Sequence, residues 1–161
     1  MSDAARRIGL ISDTHGLVRP EVHEALAGVE LILHAGDVGG DEVLDELSAI
    51  APVEAVYGNC DSPGDPRLSE SIVRVFSGVT VHVSHGHEVG SPTPARLRAR
   101  YSERVLVFGH THRPLVELGE GQLVVNPGAA GQRRFKLLPS VGILTISDGE
   151  PEVQIISLPD R

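Results

Sequence analysis

Short apolar runs alternate with amphipathic stretches along the first third of the chain. Ile8 to Ser12 reads as a buried strand, and Pro20 to Ala27 carries Val22 and Leu26 at helical spacing with proline in the tolerated first turn. Glu30 to Ala35 is again strand-like. Asp41 to Ile50 sets Val43, Leu44, Leu47 and Ile50 on one helical stripe, and Val53 to Tyr57 returns to strand. Two such crossovers predict parallel pairing.

The texture changes from Ser71 onward. Ile72 to Phe76 and Val79 to Ser84 are β-rich runs split by Ser77-Gly78, the signature of a hairpin. A third helix is expected over Pro94 to Tyr101. Short strands follow at Arg104 to Phe108, Leu115 to Leu118, Gln122 to Asn126, Ser140 to Ile146 and Glu152 to Ile156, parted by Gly, Pro or acidic turns. This pattern predicts a layered α/β domain with two packed sheets and helices outside, rather than one doubly wound sheet. With 161 residues, 40% of them hydrophobic, the chain suits a single domain over 1–161 with a core of its own.

Composition narrows the function classes. Fourteen Lys plus Arg against 22 Asp plus Glu give a formal charge of -8, which repels polyanions and argues against a general nucleic-acid grip. A phosphate-bearing substrate would then need a local positive centre. One cysteine, Cys60, makes no internal disulfide. Arg6-Arg7 precedes an apolar stretch, but Asp13 and His15 interrupt it well short of a signal region or membrane span, so a cytoplasmic protein without membrane attachment is expected.

Five apolar runs end at metal-capable side chains: Asp13-Thr14-His15-Gly16, Gly36-Asp37, Gly58-Asn59-Cys60-Asp61, His85-Gly86-His87 and Gly109-His110-Thr111-His112. Taken singly, each has a plain structural role, as a helix cap, a turn former or a loop histidine. Five coincidences at five strand ends favour one shared site, since ligands gather beyond the carboxyl ends of strands. Oxygen and imidazole donors without a required thiolate suit Mn, Fe, Zn, Co or Ni. Seven ligands exceed one tetrahedral shell and suit two ions sharing a carboxylate, a pair that clamps phosphate and lowers the pKa of water.

Those five blocks, in this order, resemble the calcineurin-like metallophosphoesterase superfamily. The short chain and the Gly-Asn-Cys-Asp block are most similar to the small YfcE-type phosphodiesterases of bacteria and archaea. The resemblance spans residue 8 to about residue 130. It implies a four-layer αββα sandwich, two mixed sheets flanked by helices. It also implies that Asp13, His15, Asp37 and His112 hold one divalent metal while Asp37, Asn59, His85 and His110 hold the other, with Mn first among the candidates. Asp37 is then the bridging carboxylate, and an activated hydroxide attacks a small phosphodiester substrate. A homo-oligomer is left open.

Many superfamily members carry His immediately after the metal-binding Asn. Here that residue is Cys60, expected to be a small buried filler, and His87 is the nearest alternative acid. Asn126-Pro127-Gly128 resembles a late family turn, but Ala129 follows where Ser is frequent. Arg113, Arg133, Arg134 and Lys136 are the nearby cations; His23 and His34 are assigned no role, and His82 is expected to be packed or to support the site. The alternatives within the resemblance are a phosphomonoesterase using the same site and a protein-binding scaffold of the same fold, for which the retromer subunit is the precedent.

Overall fold

A computed structural model describes residues 5–132 and 136–159. The opening unit is β1 (Arg6–Ile11), α1 (Glu21–Ala25), β2 (Leu31–His34), α2 (Asp41–Ser48) and β3 (Val53–Val56). There follow β4 (Leu68–Ser69), β5 (Ile72–Phe76), β6 (Val79–Val83), a single 3-10 turn (His87–Val89), α3 (Pro94–Arg100), β7 (Val105–Val107), β8 (Leu115–Gly119), β9 (Gln122–Asn126), β10 (Ser140–Ser147) and β11 (Glu150–Ser157).

These strands form two mixed sheets, ordered β11-β10-β1-β2-β3-β4 and β5-β6-β7-β9-β8. β1, β2, β3 and β4 run parallel, as do β6, β7 and β9, while β10, β11, β5 and β8 join antiparallel. Period-two alternation explains why the sheets stack. Ile8 and Leu10 of β1, Leu33 of β2, Val81 and Val83 of β6, and Val105 and Val107 of β7 point into one inter-sheet core. The opposite face of the first sheet, with Ile11 and Ile32, packs on Val22 of α1 and on Val43, Leu44 and Leu47 of α2. Leu106 and Val124 on the outer face of the second sheet pack on Leu97 of α3. Helix, sheet, sheet and helix thus follow one another across the molecule.

Differences from the sequence reading lie mostly at element ends. Pro20 is the N-cap of α1, and the helix stops at Ala25 rather than Ala27. α2 ends two residues early, where the Ser48 hydroxyl donates to the Leu44 carbonyl at 2.7 Å and competes with the helix ladder. α3 starts from Thr93, whose hydroxyl oxygen accepts the Arg96 N–H at 3.2 Å. Two-residue β4 was not foreseen, because it carries no periodicity. Besides Ser77-Gly78, two further hairpins turn on Glu120-Gly121 and Asp148-Gly149, each with both turn residues at positive φ. No described helix is long and apolar enough to cross a membrane.

Leu10 is fully buried between the sheets, whereas Leu118 is 77% exposed on an edge strand. Leu10→Ala should therefore cost about 2–5 kcal/mol and Leu118→Ala less than about 0.5 kcal/mol. Urea-unfolding midpoints check the difference.

Candidate metal centre

The candidate ligands occupy the turns leaving β1, β2, β3, β6 and β7, where the two sheets meet. Asp13, His15, Asp37, His110 and His112 all have left-handed backbones, with φ between 46° and 72°. Such residues each cost of order 1–3 kcal/mol outside glycine, although Asp, Asn and His bear it best. Cross-links between the turns hold them there. The N–H groups of Asp13, His15 and Gly16 donate to the carbonyls of Gly36, Asp37 and Val38 at 2.9, 3.0 and 2.9 Å. Asp61 accepts from the backbone N–H groups of Val38, Gly39 and Gly58 at 3.0, 3.1 and 2.9 Å, tying the Asp37 turn to the Asn59 turn.

Two glycines are required by close approach. A Cβ on Gly58 would lie 2.1 Å from Asp37 Oδ1, and one on Gly109 would lie 2.0 Å from Ser12 Oγ. These contacts let Cys60 N–H donate to Asp37 Oδ1 at 2.8 Å and His110 N–H donate to Asp13 Oδ2 at 3.1 Å. The Ser12 hydroxyl donates to the same Asp13 oxygen at 2.6 Å. One oxygen of each carboxylate is thereby fixed by the protein, and the other faces the common space.

All seven predicted ligands converge. Asp13 Oδ1 lies 3.3 Å from His112 Nε2, 3.8 Å from His15 Nε2 and 3.9 Å from His85 Nε2. Asp37 Oδ2 lies 3.3 Å from His85 Nε2 and 3.7 Å from His15 Nε2, between two groups of donors. Asn59 Oδ1 stands 2.9 Å from His85 Nε2 and 3.1 Å from His110 Nδ1. Asp13 Oδ1 is buried without a hydrogen-bond partner, which is costly for a carboxylate oxygen unless a cation faces it. Ligand atoms of Asp13, His15 and His112, and likewise of Asp13, Asp37 and His85, lie within 4.8 Å of one another. The donor set fits divalent cations.

The electrostatics are mutual. Burial pushes the Asp13 and Asp37 carboxyls up, but the facing histidines and the N–H and O–H donors outweigh it and hold both below the usual carboxylate range. Burial pushes His85 down, and the Asp37 and Asp13 carboxylates more than reverse that. His85 Nδ1–H donates to the Ala35 carbonyl at 2.8 Å, leaving the Nε2 lone pair turned into the site. His110 is lowered by burial and by neighbouring His85, which the Asp13 and Asp37 carboxylates only partly offset.

One sequence expectation changes. Cys60 is exposed, not a buried filler. Its Sγ lies within 4.8 Å of ligand atoms of both His15 and Asp37, and burial followed by the Asp37 carboxylate pushes its thiol up. His87 stands outside the ligand cluster, its ring centroid 5.3 Å from that of His85 and 6.4 Å from that of His110. Its Nδ1 is buried without a partner. His82 is packed, stacked 3.9 Å from the Tyr101 ring. Ala129 is buried and offers no hydroxyl, Lys136 is exposed, and Arg133 and Arg134 lie outside the described residues.

Three supporting residues were missed. His34, fully buried, donates from Nε2–H to Thr14 Oγ1 at 2.9 Å and accepts Gly36 N–H at Nδ1 at 3.1 Å. The tautomer follows from Thr14, whose hydroxyl hydrogen is given to the Val38 carbonyl at 2.7 Å. Asp61 is the second. Glu88 is the third, accepting Gly86 N–H at 2.9 Å and Tyr101 O–H at 2.8 Å and so fixing the turn that carries His85 and His87. Neighbouring turn residues gave no sign of these contacts: His34 joins the turns after β1 and β2, Asp61 joins those after β2 and β3, and Glu88 ties the turn after β6 to Tyr101.

Residues 7–149 match the calcineurin-like phosphoesterase superfamily domain. The chain belongs to that family. A probable metallophosphoesterase of Methanothermobacter thermautotrophicus is 36% identical over 157 residues, covering 92% of this chain and 91% of that one. Phosphodiesterase MJ0936 of Methanocaldococcus jannaschii is 29% identical, covering 86% and 92%. The solved structure of Vacuolar Protein Sorting 29 from Cryptosporidium parvum superposes with a TM-score of 0.78 at 25% identity, covering 98% of this chain and all of that one. The αββα arrangement and the metallophosphoesterase family expected from the five blocks are both met.

Burial holds His34 neutral, with its pKa lowered to about 4 from 6.5. The unfolded chain therefore binds a proton between these values that the folded chain refuses. Its stabilising effect is complete above pH 6.5 and is lost as pH falls toward 4, at most about 3 kcal/mol. Metal-free protein should lose stability over that window, and His34→Gln should show a flatter pH dependence. Chemical denaturation at pH 7, 5.5 and 4.5 in chelator measures both.

Proposed function

We propose that the protein is a cytoplasmic phosphodiesterase that hydrolyses small diesters at a centre of two divalent transition-metal ions, with manganese first among the candidates. The observation that carries this reading is the meeting of two donor groups at Asp37, beside the buried, unpartnered Asp13 Oδ1. On this reading Asp13, His15, Asp37 and His112 hold one ion, and Asp37, Asn59, His85 and His110 hold the other. Bound there, the ions supply positive charge for the phosphate oxygens and lower the pKa of an attacking water.

The remaining work falls to the chain. Asp37 would be the carboxylate shared by the two ions; Cys60 N–H fixes its Oδ1, and Oδ2 faces His85 and His15. Asn59 would contribute a neutral oxygen, leaving the second ion more net positive charge than a second carboxylate there would. The Ala35 carbonyl orients His85, and Glu88 holds the turn on which His87 rides. His87, partly exposed and next to His85 and His110, is the group we assign to protonate the leaving oxygen. Cys60 stands nearer, but its raised pKa keeps a neutral, weakly donating thiol.

A diester is favoured over a monoester because the second negative charge of a monoester needs further cations, and the ligand turns contribute few. The likeness to Vacuolar Protein Sorting 29 supports a scaffold as the second reading. The complete ligand set weighs against it.

Asp37→Asn keeps the side-chain volume and loses the charge and the second anionic oxygen. The variant should fold in chelator, lose at least one metal and lose about 10²-fold in rate, equivalent to about 2.7 kcal/mol. Asp41→Asn, on an exposed helix start, is the control and should change little. Elemental analysis with diester kinetics decides; two retained metals and full activity in Asp37→Asn would remove the bridging assignment, and an inert parent carrying metal would favour the scaffold.

Without a strong acid beside Asn59, the rate should fall steeply as the leaving group becomes more basic, with aryl diesters well ahead of alkyl diesters. His87→Ala should steepen that dependence. A series no steeper in His87→Ala than in the parent protein would remove His87 as the acid.

A further inference from the structure

A cavity of about 460 Å³ opens on the α3 side of the ligand turns, walled by Pro92, Phe108, Pro114, Leu115 and Leu137, with Thr111 and Arg113 on its polar side. Its position is set by the same loops that carry the histidines. Thr111 stands between His110 and His112, Arg113 follows His112, and Phe108 precedes the Gly109-His110 turn. Pro92 and Phe108 back onto Gly86, the residue between His85 and His87. A Cβ there would lie 3.0 Å from Pro92 Cβ and 3.4 Å from Phe108 Cδ2. The cavity and the candidate centre therefore share two loop walls.

The lining has the character of a small-molecule subsite: mostly apolar, of fitting volume, with few polar groups. Arg113 adds a specific feature. Among the described residues Arg113, like Arg7, Arg19, Arg96 and Arg100, has no carboxylate partner, and it alone of these lines the cavity. It is also exposed. An unpaired guanidinium over an apolar wall suits the face of an aromatic ring, and its charge suits a group attached to a phosphate anion.

We infer that this cavity receives a planar aromatic substituent of the phosphodiester, packed on Pro92, Leu115 and Leu137 under the Arg113 guanidinium, while the phosphate lies at the metal centre. The inference rests on the diesterase reading and adds the substrate class: aryl or heteroaryl esters rather than dialkyl esters. The substituent concerned is the one that stays on phosphorus. Chemistry at the phosphorus is unchanged by it: water delivers its oxygen to phosphorus, the phosphorus–oxygen bond to the leaving group breaks, and the leaving oxygen departs with the electron pair and takes up a proton.

The test keeps one leaving group and changes the group retained. 4-Nitrophenyl phenylphosphonate and 4-nitrophenyl methylphosphonate both release 4-nitrophenolate, so leaving-group chemistry cancels in their ratio. The parent protein should favour the phenyl compound by about tenfold in kcat/KM, expressed in KM, as expected from the extra apolar area removed from water. Leu137→Trp, which fills the cavity, and Arg113→Gln, which removes the guanidinium, should each reduce that preference severalfold.

Calorimetric binding of phenylphosphonate and methylphosphonate to the metal-loaded protein gives a second readout that needs no turnover. Tighter binding of phenylphosphonate, lost in Leu137→Trp, upholds the subsite even if hydrolysis fails and the diesterase reading falls. Equal binding of the two phosphonates, or a phenyl-to-methyl ratio near one in an active parent, overturns the subsite and leaves the diesterase reading intact. A ratio that Leu137→Trp and Arg113→Gln leave unchanged overturns it as well. So does a dimer that Leu137→Trp dissociates without changing that ratio, because the cavity would then be filled by a second copy of the chain.

Discussion

Two carboxylates, Asp13 and Asp37, are almost wholly buried where the two sheets meet, and the local structure is arranged around that burial. A desolvated carboxylate is costly unless it is matched on every side. Serine hydroxyl and backbone N–H donors match one oxygen of each. The other is turned toward imidazoles at distances too long for good hydrogen bonds and suited to an intervening cation. Stability and chemistry therefore draw on the same electrostatic arrangement, because what lowers the cost of the buried charge is also what makes the site able to hold metal.

The backbone bears part of that arrangement. Five of the seven candidate ligands sit in the left-handed region, and neighbouring turns are tied together through direct hydrogen bonds and through Asp61 and His34, while Glu88 fixes the turn that carries His85. Parallel pairing of β1 with β2 and of β6 with β7 brings their carboxyl ends to one edge of each sheet, and stacking of the sheets brings those edges together. The sandwich is thus a device for aligning turns that individually would be strained and poorly solvated. Gly58 and Gly109 let backbone approach carboxylate where any side chain would intervene.

Much of the fold was legible because periodicity is local. The runs at Ile72–Phe76 and Gln122–Asn126 are observed with the expected limits, and Ile8 to Ile11 form the buried part of β1 as expected. Errors gathered where the outcome depends on competition. The ends of α1 and α2 are decided by capping and by the Ser48 hydroxyl, and β4 exists only because β3 presents an edge to it. Cys60 was misjudged because a small thiol next to a ligand gives no local sign of which way its turn will face.

The sequence by itself determined the donor chemistry: Asp, Asn and His at the ends of five apolar runs, a single cysteine, and a net charge that leaves phosphate binding to a local centre. Residue type and strand-end position suffice for that, since they set which atoms can donate and on which kind of element they ride. Only the tertiary structure decided which atoms face one another, that Asp37 lies between the two donor groups while His87 stands apart, and that His34 is a buried, neutral tie rather than a spare loop histidine. These outcomes depend on contacts between residues 20 to 97 positions apart in the chain. Neither propensity nor spacing encodes such distances, because they are set by how two twisted sheets pack and which buried polar groups must find a partner.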